Sequence, residues 1–98
     1  MDLQAATKLL REKVGSDCGL GTTLKFDCGS EGIVTIDGAS TPNTVTNDDI
    51  EAACTVGLSL DTLNRLLLGE LEPTTAFMMG KLKVSGDMSV AMKLQRVV

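Results

Sequence analysis

The 98-residue chain predicts an α+β fold, a two-layer sandwich in which about five strands form a sheet and about four helices cover one of its faces. Short segments that alternate apolar and polar residues, such as residues 81–85, predict strands with one buried and one solvated face. Segments with apolar residues at three- and four-residue spacing predict amphipathic helices, which must crowd onto the apolar face of the sheet. The length suits one domain and is too short for two, so residues 1–98 are expected to form a single domain.

The first half of the chain predicts one helix and a β-hairpin. Residues 2–14 carry apolar side chains at helical spacing, with charged residues on the opposite side. Residues 24–28 alternate, and Gly29 and Gly32 bracket a turn that predicts a hairpin to a second strand over residues 33–36. Residues 38–49 are rich in turn-forming types, so we expect a loop with at most a short edge strand near Val45.

The second half begins with an alternating strand over residues 52–58. Ser59 or Asp61 is then expected to cap a leucine-rich helix that Gly69 ends. Pro73 predicts the first turn of another short helix, because its fixed φ suits that position.

The chain ends in a predicted strand over residues 81–85 and a predicted helix over residues 88–97, capped by Asp87. Ser89, Lys93 and Arg96 form a narrow polar stripe on this last helix, and its other residues are mostly apolar. Two interpretations of this wide apolar arc remain open: a well-buried terminal helix, or a helix that covers a pocket.

Composition limits the partners. The net charge of −4 argues against nucleic acid and against lasting attachment to an anionic membrane, although transient membrane contact remains possible. Phe26 and Phe77 are the only aromatic residues, and we expect the five methionines to serve mainly as core filler. The N-terminal residues lack the apolar region of a signal peptide, and no apolar run is long enough to span a bilayer, so a cytoplasmic location is expected.

The residue types argue against a catalytic or metal-binding site. The chain has no histidine, no paired nucleophile and base, and no metal-binding spacing among its three cysteines, so no enzyme activity, cofactor or metal is predicted. Cys28 and Cys54 fall on apolar strand faces and are expected to be reduced core residues, whereas Cys18 lies near a glycine-rich turn where a thiol can be exposed. The acidic residues at 48, 49 and 51 are expected to form a solvated loop.

Residues 76–88, Ala-Phe-Met-Met-Gly-Lys-Leu-Lys-Val-Ser-Gly-Asp-Met, resemble the signature of the sterol carrier protein 2 family. The continuation through Gln95 and the upstream leucine-rich helix with Glu72-Pro73 fit the same family. The resemblance implies a five-stranded sheet covered on one face by helices, an apolar tunnel between the layers, and non-enzymatic binding of fatty acids, acyl-coenzyme A, sterols or other lipids. The peroxisomal tripeptide of many eukaryotic members is missing, which fits a bacterial, cytosolic protein.

Carried over by position, the resemblance implies a set of apolar tunnel-wall residues, most of which periodicity also turns inward. They are Phe26, Val34, Ile36, Val56, Leu58, Leu63, Leu67, Phe77, Met78, Met88, Met92 and Leu94. A further hypothesis is that Lys8, Arg11 or Lys13 meets a lipid carboxylate at the tunnel mouth. The alternative is that these three residues are solvated charges on an exposed helix face.

Three functions remain open at this stage. The first is a free-standing lipid carrier. The second is an accessory interaction module that presents a hydrophobic intermediate to a lipid-metabolising partner enzyme or simply binds that enzyme. The third is an enzyme such as a thioesterase acting on bound acyl-coenzyme A, against which the missing histidine weighs.

Overall fold

A mixed five-stranded sheet in the order β3-β2-β1-β4-β5 forms the base of the fold. The computed structural model describes residues 2–15, 19–40, 42–94 and 97–98. The strands are β1 (Thr23–Asp27), β2 (Ile33–Asp37), β3 (Thr44–Thr46), β4 (Cys54–Gly57) and β5 (Lys83–Gly86). The strand β1 pairs antiparallel with β2 and parallel with β4, so it occupies the centre of the sheet.

The helices are α1 (Leu3–Val14), α2 (Leu60–Leu67), α3 (Pro73–Met78) and α4 (Met88–Ala91). Asp2 caps α1 by accepting a hydrogen bond from the Ala5 backbone N–H (2.8 Å). Ser59 caps α2 by accepting one from the Thr62 backbone N–H (3.1 Å), so Ser59 rather than Asp61 is the cap. A 3-10 turn, Gly29–Glu31, connects β1 to β2.

One face of the sheet carries the core. Phe26 on β1 lies between Val34 of β2 and Val56 of β4, and all three side chains are fully buried. Buried residues of all four helices join these strand residues in one apolar cluster. The helices therefore cover one face, and the predicted two-layer α+β fold with a five-stranded sheet is confirmed.

The polar face of the sheet is less open than the sequence predicts. The connection from β3 to β4 crosses over β2 and β1 on this face and is hydrogen-bonded to both. Thr35 Oγ1 donates to the Asp48 carbonyl (2.8 Å), and Lys25 Nζ donates to Asp49 Oδ1 (2.8 Å). Thr35 is consequently buried, although alternation places it on the solvated side. We call residues 47–53 the crossover segment.

Two C-terminal elements differ from their predicted bounds. The strand β5 starts at Lys83 and includes Gly86, because Gly86 pairs with Cys54 of β4. The last helix covers Met88–Ala91 rather than residues 88–97. Beyond this helix, Lys93 N–H bonds to Val90 O (3.0 Å) and Val97 N–H to Leu94 O (3.1 Å), each across three residues, whereas Val98 N–H bonds to Leu94 O (3.2 Å) across four. Residues 95 and 96 lie outside the described part of the chain.

The four methionines in the described part of the chain are not core filler, which corrects the expectation from composition. Met78, Met79, Met88 and Met92 are all at least half exposed. The core is built instead from Leu, Val, Ile and Ala with Phe26 and the two described cysteines. Cys28 and Cys54 are buried free thiols, as predicted. Cys18 and Arg96, by contrast, lie outside the described residues.

Candidate functional site

An apolar groove opens at the β5 edge of the sheet, between α3, β5 and α4. Its volume is about 270 Å³. We call it the edge groove, and it is lined by Pro73, Thr74, Phe77, Leu82, Val84, Met88, Ala91, Met92 and Leu94. Within this lining Thr74 is the one polar residue, and none of the nine carries a charge. The groove therefore suits an apolar molecule.

The helix α3 forms the first wall. Pro73 occupies its first turn, where a missing backbone N–H costs nothing. The fully buried Ala76 docks the helix on the core, which leaves the next residue, Phe77, half exposed at the groove. Gly80, at φ 74°, ends the helix, and the Lys81 N–H bonds back to the Ala76 carbonyl (2.9 Å). This reversal leads the chain into β5.

The helix α4 forms the opposite wall, and Asp87 fixes where it begins. The Asp87 backbone N–H donates to the Ala53 carbonyl (2.9 Å), which attaches the helix start to the sheet. Its carboxylate accepts from the Ser89 backbone N–H (2.9 Å) and from Ser89 Oγ (2.6 Å). The Ser89 hydroxyl, followed by the Ser89 backbone N–H, lowers the pKa of Asp87. The cap therefore stays ionised, and Met88 and Met92 are held over the groove.

The structure divides the twelve predicted wall residues into two main groups. Phe77, Met88, Met92 and Leu94 line the edge groove. A second group is buried in the packed core instead and consists of Phe26, Val34, Ile36, Val56, Leu58, Leu63 and Leu67. Met78 belongs to neither group, since it is 81% exposed and absent from the groove lining.

Five groove residues were missed at the sequence level: Pro73, Thr74, Leu82, Val84 and Ala91. Leu82 and Val84 carry the same inward alternation as the residues that were chosen, so this pattern was sufficient to include them. Ala91 lies one turn from Met88 on the same helix. Thr74 has no such pattern in the sequence.

The basic residues of α1 do not line this groove. The helix α1 packs over β3, at the opposite edge of the sheet from β5. Arg11 Nε donates to the Val45 carbonyl on that edge strand (2.9 Å). Lys8 and Arg11 instead line a separate polar cleft with Asn47. The structure thus does not bring these charges to the mouth of the edge groove, against the head-group hypothesis.

The described cysteines are poor nucleophiles. Burial, followed by the negative charges of Asp27 and Glu31, raises the pKa of the Cys28 thiol to about 11. Burial, followed by the charge of Asp87, also raises the pKa of Cys54. Both side chains therefore remain protonated thiols near neutral pH, and neither lines the groove.

These features define a class of protein: a small α+β fold whose helices cover one sheet face and leave an apolar groove. The chain belongs to the SCP-2 sterol transfer family, whose family profile matches residues 5–98. Family membership connects the chain with lipid binding or transfer. No helix among the described residues is long and apolar enough to span a bilayer.

Several curated relatives match about half of the chain, and two of them illustrate the range. Sterol carrier protein 2 of Gallus gallus is 47% identical over 51 residues, which is 52% of this chain and 9% of the chicken protein. Hydroxysteroid dehydrogenase-like protein 2 of Bos taurus is 40% identical over 48 residues, which is 49% of this chain and 12% of the bovine protein. The matched region is thus about a tenth of each relative's length.

Among solved structures, palmitated SCP2L2 from Aedes aegypti matches with a TM-score of 0.73 at 19% identity. The superposition covers 99% of this chain and 94% of the mosquito chain. At this identity the match concerns the fold, and it extends over the whole sheet and its helical layer.

Proposed function

We propose that residues 1–98 form a single, non-enzymatic lipid-binding domain that holds a fatty acid, an acyl-coenzyme A or a similar molecule by its acyl chain in the edge groove. One observation carries this proposal: an apolar groove of about 270 Å³ is lined by nine residues of which only Thr74 is polar. Each buried methylene of an acyl chain contributes about 0.8 kcal/mol. On this scale about ten buried methylenes correspond to the roughly 8 kcal/mol of a micromolar Kd, so most of a fatty-acid chain must be buried.

We further propose that the edge groove is the mouth of the tunnel expected from the family resemblance. Its volume is close to the lower limit of about 300 Å³ for ligand pockets. A longer chain requires the groove to deepen toward the core. Leu94 lines the groove and is itself nearly fully buried in the apolar core cluster, so it lies at the boundary between groove and core. Outward movement of the one-turn helix α4 is the shortest route to such deepening.

The chemistry of the site supports binding without turnover. No groove-lining residue is titratable, and the two described thiols are buried away from the groove with raised pKa values. A hydrolase needs an activated nucleophile and a base within hydrogen-bond reach. Incubation with acyl-coenzyme A is therefore expected to release no coenzyme A above the uncatalysed rate.

The direct test fills the groove. Ala91 lies in its wall, and an Ala91→Trp substitution adds a large side chain there. We expect this variant to bind a fluorescent fatty acid at least about tenfold more weakly than the wild type. Ala39→Trp is the matched control, because Ala39 is exposed and is not a groove residue. Equal affinities of both variants and the wild type would exclude the groove as the binding site.

A second candidate function is an accessory module that presents a hydrophobic intermediate to a partner enzyme. The match to hydroxysteroid dehydrogenase-like protein 2 favours it, because there the similar segment covers only 12% of a chain with an enzyme-like name. The two functions differ in whether transfer requires the partner. A carrier moves fluorescent fatty acid between two vesicle populations by itself, whereas a module of this kind leaves the rate at its spontaneous value.

A further inference from the structure

We propose that Met88 and Met92 form a modification site, at which a peroxide oxidises the thioether sulfur to a sulfoxide and thereby weakens lipid binding. This inference rests on the proposed function, because it concerns regulation of the same groove. Both residues line the edge groove, and the hydrogen bond from Met92 N–H to the Met88 carbonyl (3.1 Å) places them one turn apart. Met88 is 50% exposed and Met92 is 79% exposed, so both side chains are open to an oxidant in solution.

The described methionines are concentrated at this edge of the molecule. Methionine is usually a buried residue that fills gaps in a core. Here four methionines within 15 consecutive positions are all at least half exposed, and they are Met78, Met79, Met88 and Met92. The chain has no Trp, Tyr or His to compete for an oxidant. The thioether sulfur is therefore the main oxidisable group that the described residues present to solvent.

The described thiols are shielded from the same oxidant. Cys28 and Cys54 are buried, and peroxide reacts with the thiolate form of cysteine. Burial, followed by neighbouring carboxylates, raises the pKa of Cys28 to about 11. Burial, followed by the charge of Asp87, also raises the pKa of Cys54. Oxidation within the described part of the chain is therefore directed to the methionines.

The reaction transfers one oxygen atom from the peroxide to the protein. The lone pair of the thioether sulfur attacks one oxygen of hydrogen peroxide, and the O–O bond breaks. The proton on the attacked oxygen moves to the departing hydroxide, which leaves as water. The sulfur is oxidised by two electrons, the peroxide is reduced by two, and the products are one methionine sulfoxide and one water.

A sulfoxide in the edge groove has almost no partner for its oxygen. The oxygen accepts hydrogen bonds, but among the nine lining residues only Thr74 carries a side-chain donor, and it lies on α3, across the groove from α4. An acyl chain that covers Met88 and Met92 excludes water from the sulfoxides without offering a donor in its place. Burial of an unpaired polar group costs free energy, so lipid binds the unmodified groove more tightly.

Met78 and Met79 provide an internal control. They are exposed like the groove methionines, but neither lines the groove. Peroxide is expected to oxidise all four residues, whereas only the sulfoxides at Met88 and Met92 are expected to change the affinity for lipid. A general effect of oxidation on the protein would not distinguish the two pairs.

The test treats the full chain with hydrogen peroxide, locates each added oxygen by peptide mass spectrometry, and titrates a fluorescent fatty acid. A Cys18→Ser background removes the thiol that lies outside the described residues. We expect one added oxygen each on Met88 and Met92 before any on the buried cysteines, and at least about tenfold weaker binding. Methionine sulfoxide reductase with dithiothreitol, which removes the oxygen as water, is expected to restore the affinity.

Two double variants form a matched pair. Met88→Leu, Met92→Leu keeps an apolar wall of similar volume without sulfur, so it is expected to bind like the wild type before and after peroxide. Met78→Leu, Met79→Leu retains the groove sulfurs and is expected to lose affinity on oxidation as the wild type does. Unchanged affinity of the oxidised wild type, equal losses in both variants, or earlier oxidation of the buried cysteines would each overturn the proposal.

Mass mapping separates this proposal from the proposed function. If the untreated wild type binds no fatty acid, the proposed function fails, whereas oxidation of the methionines ahead of the buried cysteines still supports the modification site and its absence overturns it. If fatty acid does bind, a saturating amount is expected to slow oxidation of Met88 and Met92 and to leave Met78 and Met79 unaffected. Equal protection of both pairs, or of neither, would overturn the placement of this site at the ligand.

Discussion

The two aromatic residues of the chain, Phe26 and Phe77, lie in opposite environments. Phe26 sits on the central strand between two neighbouring strands and is fully buried. Phe77 sits on a six-residue helix at the sheet edge and is 50% exposed. The same side chain therefore contributes to folding in one region and is available to a ligand in the other. Packing fills the core at the centre of the sheet, whereas a groove remains open at the β5 edge.

The largest expected effect tests the closed centre. Phe26→Ala removes a fully buried ring and is expected to lower the free energy of unfolding by about 3–5 kcal/mol, much of a domain's total of about 5–15 kcal/mol. Urea unfolding measures it. A loss below about 1 kcal/mol would mean that the centre is loosely packed, and the distinction between the two regions would not hold.

The second effect tests the attachment of the edge to the centre. Gly86 has φ 98°, and a Cβ at this position would collide with the Ala53 carbonyl oxygen. Gly86→Ala is therefore expected to destabilise by about 3 kcal/mol or more, from backbone strain plus overlap. Gly69→Ala is the control, because Gly69 has φ 74° and open space around its Cα, so that only strain of about 1 kcal/mol is expected. Similar losses in the two variants would exclude a special role for the Ala53 contact.

The third effect concerns Phe77. Phe77→Ala is expected to lower the free energy of unfolding by less than about 1 kcal/mol, because the side chain is already half exposed. The same variant is expected to bind fatty acid about tenfold more weakly, since one wall of the groove is lost. Urea unfolding and fatty-acid titration on one sample separate the two quantities. A large stability loss with unchanged binding would assign Phe77 to the core instead.

The smallest effect is a pH dependence at the cap of α4. The pKa of Asp87 is lowered from 3.8 in the folded protein. The ionised carboxylate therefore adds to the free energy of unfolding above that pH, and this contribution is lost as the pH falls below it. Asp87→Asn keeps a good cap without the titration. The wild type is therefore expected to lose more thermal stability than this variant when the pH is lowered through this range. An equal fall in melting temperature with pH in the two proteins would contradict the assigned role of the Ser89 hydrogen bonds.

Local patterns in the sequence were sufficient for most elements. The cap residues Ser59 and Asp87, the stop at Gly80 and the hairpin between β1 and β2 all depend on neighbours a few residues away. The family resemblance over residues 76–88 then indicated the fold and the class of protein, and the family profile confirms this indication.

The division between closed core and open groove was not predictable in the same way. Alternation indicates that Phe26 and Val84 both point inward, but not what lies over them. That depends on strand order, which results from the parallel pairing of β1 with β4 across distant parts of the chain. The same reason explains why Thr35 was assigned to a solvated face: its cover, the crossover segment, comes from elsewhere in the sequence.

The crossover segment also lengthens the loop that must close before β1 and β4 can pair. The β1–β2 hairpin pairs Phe26 with Val34, whereas the β1–β4 pairing joins Leu24 to Cys54, which requires a much longer loop to close. The strand β5 joins the sheet through β4, so the edge groove depends on the β4–β5 pairing and not on the hairpin. We expect these longer-range contacts to form after the hairpin. A ligand bound in the groove is therefore expected to slow unfolding rather than to speed folding.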